Sequence, residues 1–330
     1  MVSVDIYVNE TTRHADVILP GPSPLERSHY DLALLGFAVR NVANYSPPAL
    51  DAEVAQEWET LLRLAGIATG HGPHADVAAI DRFIAYEVAR RQAADGSSGL
   101  HGRDPDELLA EVQPRVGPER ILDLQLRGGP YRVTLAELEA APHGLDFGAL
   151  EPRVPEVLRT PSGMIELAPE AVVEDVARVH AALAEPVNAT MTLIGRRELR
   201  SNNSWMHNLP TLVRGKERCT AHVHPDDAAR LELVDGEAAV VRSRAGELVV
   251  PVEITEDVMP GVVSIPHGWG HDLPGVSLSV AGEHAGSNSN VLADELLLEP
   301  LSGTAVLNGI PVELEPAHPR VRLTQRVGRT

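Results

Sequence analysis

Cysteine is nearly missing: Cys219 is the only one in 330 residues. That excludes an internal disulfide framework and any cysteine-ligated zinc or iron–sulfur cluster. Aromatic residues are just 3% of the chain, so a core must be built from Leu, Val, Ile and Ala. Lysine is reduced to Lys216. The basic charge is therefore arginine, through either a GC-rich genome or a use for planar, phosphate-gripping side chains. No run approaches about 18 continuous apolar residues, which excludes a membrane-spanning helix. The opening MVSVDIYVNE lacks the basic region, apolar stretch and small-residue cleavage site of a signal peptide. A cytoplasmic, soluble protein is expected. The net charge of −19 repels nucleic acid and anionic membrane surfaces. GxGxxG, a P-loop and a serine nucleophile elbow are all absent, which removes the commonest nucleotide-fold and hydrolase signatures.

What is present suits two domains, or one domain and a lobe, with an ordinary 43% apolar fraction. Residues 4–8 and 16–19 read as strands around a polar turn, NETTRHA. Two such strands cannot make a satisfied sheet alone, so the chain is expected to begin within a domain. Residues 21–50 are rich in Pro, Ser and Asn and lack periodicity. Helical spacing follows in Val54, Trp58, Leu61, Leu62 and Ala65, and in Val77, Ile80, Ile84 and Val88. Shorter amphipathic segments cover 105–112, 118–126 and 135–140. After Arg159-Thr160-Pro161-Ser162-Gly163 the chain turns strand-rich. Helices are expected at 168–183 and 224–231, and strands at 189–194, 238–243, 247–254 and 261–265. Arg244-Ala245-Gly246 is the turn of a hairpin. The reading is an α/β fragment with a helical lobe over residues 1–154, a closed β-barrel over 155–315 and a tail at 316–330.

Three polar runs carry candidate chemistry. IGRRELRSNNSWMHN, residues 194–208, leaves a strand at Gly195, where a missing side chain lets backbone approach a ligand. Arg196 and Arg197 can grip phosphate in a bidentate manner, and Asn202, Asn203, Ser204, His207 and Asn208 suit the edge of a heterocycle. Alternatively the run is a long loop capping itself. PGVVSIPHGWGHD, residues 260–272, runs a strand into His267, Gly268, Trp269, Gly270 and His271. Two histidines four apart could hold a metal only on a helix, and Gly-Trp-Gly opposes one. A loop is expected there. EHAGSNSNVL, residues 283–292, offers Asn288, Ser289 and Asn290 either to a ligand or to an Asx-turn. His222, His224, Asp226 and Asp227 read as a capped helix start, and Cys219 as a buried barrel residue.

NETTRHADVILP with Glu26, RTPSGMIELAP (residues 159–169), the stretch HPDDAARLELVDGEAAVVRSRAGELVVPVEITEDVMPGVVSIPHGWGH and GSNSNVL occur in this order. Together they resemble the C-terminal portion of molybdopterin oxidoreductases of the dimethyl-sulfoxide-reductase type, nearest to formate-dehydrogenase-like members. The resemblance implies a double-psi-type β-barrel that closes over molybdopterin guanine dinucleotide, with molybdenum or tungsten in the intact enzyme. It implies cofactor contacts at Gly195, Arg196, Asn203, Ser204, His207 and Asn208, a second wall at His267, Gly268 and Trp269, a third at Asn288 and Asn290, and outlying contacts at Glu10, Thr11 and Thr12. The family's iron–sulfur region and its protein ligand to the metal have no counterpart here. A partner is therefore expected, either a missing N-terminal half or a separate subunit supplying it, and the isolated chain is expected to be inactive. The alternatives are a non-catalytic scaffold or assembly subunit that keeps the barrel, or a free-standing protein-binding barrel.

Overall fold

A computed structural model describes residues 1–184, 190–317 and 326–327. Contacts divide it into two compact units. One is Val2–Ile6 with Val17–Arg159; the other is Met1, Tyr7–Asp16 and Thr160–Thr330. The sequence boundary at 154/155 thus falls beside a contact boundary at 159/160, and residues 7–16 group with the later unit. Most of the tail expected at 316–330, and residue 189 of the expected strand 189–194, lie outside the described residues.

The first unit opens on β1 (Val2–Val4) and β2 (Val17–Leu19), which pair in parallel with Val2 opposite Val17 and Val4 opposite Leu19. The expected strand 4–8 ends early because the Asp5 carboxylate accepts from the Ile6 amide (2.7 Å) and turns the chain. In the Pro- and Asn-rich stretch lie β3 (His29–Tyr30), β4 (Arg40–Ala43) and β5 (Tyr45–Ser46). Helices follow: α1 (Glu57–Ala68), α2 (Val77–Ala94), α3 (Pro105–Glu111), α4 (Gly117–Gly128) and α5 (Leu135–Glu139). β6 (Leu145–Ala149) pairs antiparallel with β4, and β3 with β5. The helix starts are written in the sequence. Asp76 and Asp104 accept from amides of the first turns of α2 and α3, and Thr134 with Glu137 forms a reciprocal capping box on α5. Ala89, Leu100, Leu108, Val112 and Leu124 make one small core and Ala43, Tyr45, Leu122, Val133, Leu135 and Leu138 another. Between helices, Asp81 and Arg120 form a buried ion pair, and the Asp81 carboxylate also accepts from the Gly117 amide at 3.1 Å.

The second unit contains α6 (Glu170–Ala184), β7 (Met191–Arg196), α7 (Pro210–Val213), β8 (Ala221–Val223), α8 (Pro225–Arg230), β9 (Ala238–Arg242), β10 (Gly246–Ile254), β11 (Val262–Pro266), α9 (Ser279–Glu283), β12 (Ile310–Pro316) and β13 (Arg326–Val327). Strands β9, β10, β8, β11, β7 and β12 pair in that order, and β12 returns to β9, closing a six-stranded barrel; β13 adds to β10. β10 pairs in parallel with β8 and β11 in parallel with β7, while the other contacts round the ring are antiparallel. Barrel diameter grows with strand number, so a six-stranded interior is narrow. The scarcity of aromatics fits this: Met191, Leu193, Val223, Val241, Val250, Ile265, Val312 and Leu314 fill it. In β12, Ile310, Val312 and Leu314 face in while Pro311, Glu313 and Glu315 are exposed, the period-two alternation of a half-buried strand.

Candidate functional site

β7 and β11 run parallel, with Gly195 beside Ile265 and Arg196 beside Pro266. Their chains therefore leave the barrel side by side, and both long polar loops begin there. A cavity of about 350 Å³ opens at this end, bordered by Gly195, Arg196, Arg197, His267, Asn290 and Asn308. Gly195 donates its amide to Asn308 Oδ1 at 2.7 Å. A Cβ at 195 would meet no protein atom closer than that oxygen, at 3.4 Å. The bare backbone thus borders open space. At the rim, Asn203 Oδ1 accepts from Arg197 Nη1 at 2.8 Å and lies 3.1 Å from His267 Nε2.

The two loops are interlocked. Gly268 has φ +95°, and a Cβ there would overlap the Asn203 carbonyl oxygen and crowd the Ser204 amide. Asn203 itself has φ +64°. Behind this contact the imidazole of His207 is 4% exposed and rests on the buried indole of Trp269, ring centres 4.2 Å apart. His207 Nδ1 lies 2.8 Å from His271 Nε2, and its Nε2 lies 2.8 Å from Ser201 Oγ. His271 Nδ1 is 2.7 Å from Glu10 Oε1. Burial, with His271 second, lowers the His207 pKa to about 4, so the ring is neutral at ordinary pH. The Cys219 thiol is pushed the other way, up to about 11 by burial, and accepts from the Ser287 amide at 3.2 Å.

Of the residues singled out in the sequence, Gly195, Arg196, Arg197, His267, Ser289 and Asn290 border the cavity and Asn203 forms its rim. Arg196, expected at a phosphate, ties β7 to β11 and to the segment before β8: it donates to the carbonyls of Ser264 (2.9 Å), Thr220 (3.1 Å) and Arg218 (3.3 Å), and to Glu198 (3.1 Å). Asn208 Oδ1 accepts from the Val280 and Ala281 amides and caps α9. Asn288 accepts from the Asn290 amide, the Asx-turn alternative. Trp269, Gly268 and Ser204 build the interlock, and Thr11 is an exposed residue of the segment 7–16. Residues 267–271 are a loop, and among the described residues no three of His, Cys, Asp or Glu converge as a metal would require. Asn308 escaped sequence reading; its only signal is Leu-Asn-Gly before an alternating strand. Among the described residues no helix is long and apolar enough to cross a membrane.

Residues 191–311 match the family model of the molydopterin dinucleotide binding domain. The chain is 31% identical over 124 residues to a tetrathionate reductase subunit of Salmonella typhimurium, covering 32% of this chain and 12% of that protein. It is 31% identical over 94 residues to the dimethyl sulfoxide/trimethylamine N-oxide reductase of Rhodobacter capsulatus, covering 28% and 10%. Its fold is similar to that of acetylene hydratase from Pelobacter acetylenicus, with a TM-score of 0.55 at 20% identity, covering 91% of this chain and 38% of that one. The chain therefore spans a minor part of the length of each. These matches bear out the resemblance to the C-terminal portion of molybdopterin oxidoreductases, the α/β-plus-barrel fold class and a molybdopterin cofactor.

Proposed function

We propose that this chain, similar over its barrel to the cofactor-binding C-terminal part of molybdopterin oxidoreductases, holds the guanine dinucleotide end of the cofactor in the cavity where β7 and β11 end. The carrying observation is that cavity. At about 350 Å³ it sits near the lower end of small-ligand sites, roughly 300–1,000 Å³, and so suits one end of a dinucleotide. Its residues fit such a group. Gly195 offers backbone with no side chain in the way, while Asn290, Asn308 and His267 supply donors and acceptors for a heterocycle or ribose. Arg197, exposed at the rim, replaces Arg196 as the phosphate-facing cation. With molybdenum or tungsten bound, the cofactor supplies two-electron redox chemistry at the metal. The protein part that ligates the metal and brings electrons comes from outside this sequence, as a longer chain or a separate subunit, and the intact assembly is an oxidoreductase working in the cytoplasm.

Calorimetry of the full chain with guanosine diphosphate tests this reading. Arg197→Ala should weaken binding about ten- to a hundredfold, the value of one charge-assisted bond to phosphate. Arg242→Ala should leave binding unchanged, because Arg242 pairs with Glu247 and Glu315 on the barrel exterior. Equal losses, or no binding by the unaltered chain, would remove the cavity from consideration.

A further inference from the structure

Ser201, His207, His271 and Glu10 form an unbroken row of side-chain hydrogen bonds of 2.8, 2.8 and 2.7 Å. Three members are nearly sealed, at 3%, 4% and 5% exposure, whereas the Glu10 side chain is 31% exposed. The segment carrying Glu10 is fastened in place. Thr12 donates its hydroxyl to the Tyr7 carbonyl (2.6 Å), the Ser277 amide donates to the Val8 carbonyl (2.8 Å) and Arg13 to the Pro274 carbonyl (2.7 Å). At the other end, Ser201 and His207 border a cavity of about 30 Å³, room enough for a water molecule.

We propose that this row is a proton relay between a protic group in the Ser201 cavity, water or a ligand N–H or O–H, and the carboxylate of Glu10. The proposal is independent of where the dinucleotide binds. Its polarity is fixed at one end, because a carboxylate only accepts. His271 therefore presents Nδ1–H to Glu10 and accepts at Nε2. His207 presents Nδ1–H to His271 and accepts at Nε2, and that nitrogen takes the Ser201 hydroxyl proton. Every donor in the row faces Glu10.

One transfer moves one proton equivalent. The His271 Nδ1–H bond breaks as a Glu10 O–H bond forms, and the His207 Nδ1–H bond breaks as His271 gains a proton on Nε2. The Ser201 O–H bond breaks as His207 gains a proton on Nε2, and Ser201 takes a proton from the group in the cavity. Each ring gives up one proton and gains one, so the tautomers are exchanged, and the reverse sequence delivers the proton inward. A route without an imidazolium suits this location. Burial, then the neighbouring His271, opposes charge on His207, Arg218 adds to that, and only the Gly268 backbone and Glu10 pull the other way. The cavity's lining also brings the cations Arg200, Lys216 and Arg218 against the single carboxylate Glu217, an excess of positive charge that disfavours a protonated His207. A purely structural row needs no terminal base; this one ends on a partly exposed carboxylate.

The test uses the full chain with ¹⁵N-labelled histidine. At neutral pH both rings should be Nδ1–H tautomers, with a through-hydrogen-bond coupling between His207 Nδ1 and His271 Nε2. Exchange of the His207 Nδ1 proton with solvent requires Glu10 to receive a proton and Ser201 to supply one. Glu10→Gln keeps an accepting oxygen but cannot take a proton, so exchange should slow about a hundredfold, the scale of a lost acid–base partner. Ser201→Ala should slow it comparably, and it keeps the test open should Glu10→Gln disturb folding. A structural row would leave exchange unchanged in Glu10→Gln and unchanged or faster in Ser201→Ala. Either result, or an Nε2–H tautomer at His207, would overturn the relay.

Discussion

The two units use strands in opposite ways. In the barrel every strand of the six-membered ring is paired on both sides, and one aliphatic core serves all of them. In the first unit each sheet is a two-stranded piece. The parallel pair β1–β2 leaves Val2, Val4 and Val17 exposed, although parallel sheets are ordinarily covered on both faces. Its loops also show apolar surface, with Phe37 at 83% and Val39 at 88% exposure. Closure removes the edges of a sheet; a two-stranded pair keeps them and is marginal alone in water. The ring of the barrel leaves none of its six strands with a free edge, whereas each pair in the first unit keeps an edge on both sides.

The strongest way to break that comparison is limited proteolysis. Cutting near the 159/160 boundary should leave a protected barrel core, with residues 17–159 degraded at least about ten times faster through local opening. A surviving helical unit beside a digested barrel would reverse the comparison.

A smaller perturbation sharpens it. Asp81→Ala leaves Arg120 buried without its anion, and Arg120 Nε already lacks a partner. Removing one member of a buried pair costs about 3–5 kcal/mol. Hydrogen-exchange mass spectrometry should show protection lost across α2 and α4 and retained in β9–β12. Loss in both units would mean they unfold as one.

The smallest expected effect belongs to the barrel unit and comes from pH. His207 has a folded pKa near 4, depressed below the ordinary value of 6.5. Between those values the unfolded chain binds more protons than the folded one, so stability falls as pH drops through that window. The shift corresponds to about 3 kcal/mol at most. Urea titrations at several pH values, comparing the chain with His207→Gln, should show the variant losing most of this slope. An unchanged slope would remove His207 as its source.

The long periodic elements were legible in the sequence: α2, α4, and the β9–β10 hairpin around Arg244-Ala245-Gly246. Strands β3 to β5 were not, because two to four residues cannot display an alternation. β8 is equally short, and in β12 Pro311 and Pro316 obscure the Ile310, Val312, Leu314 pattern. At the site, runs 194–208 and 260–272 stood out by composition, but individual roles did not. Arg196 bonds to carbonyls of β11 and of the segment before β8, an arrangement set by register rather than residue type. Asn308 reaches Gly195 across 113 positions and Glu10 reaches His271 across 261. No local pattern encodes such distances.

Cys219 has a practical corollary. Its sulfur is buried beneath Ser287 and its thiol is held near 11, so hardly any thiolate exists at neutral pH and alkylating reagents have no path to it. The natural chain is therefore silent toward thiol chemistry. A single cysteine placed at Arg197 or Thr11 would be the one reactive sulfur in the molecule. A fluorophore or spin label could then report from the cavity rim, or from the segment bearing Glu10, with no background to subtract.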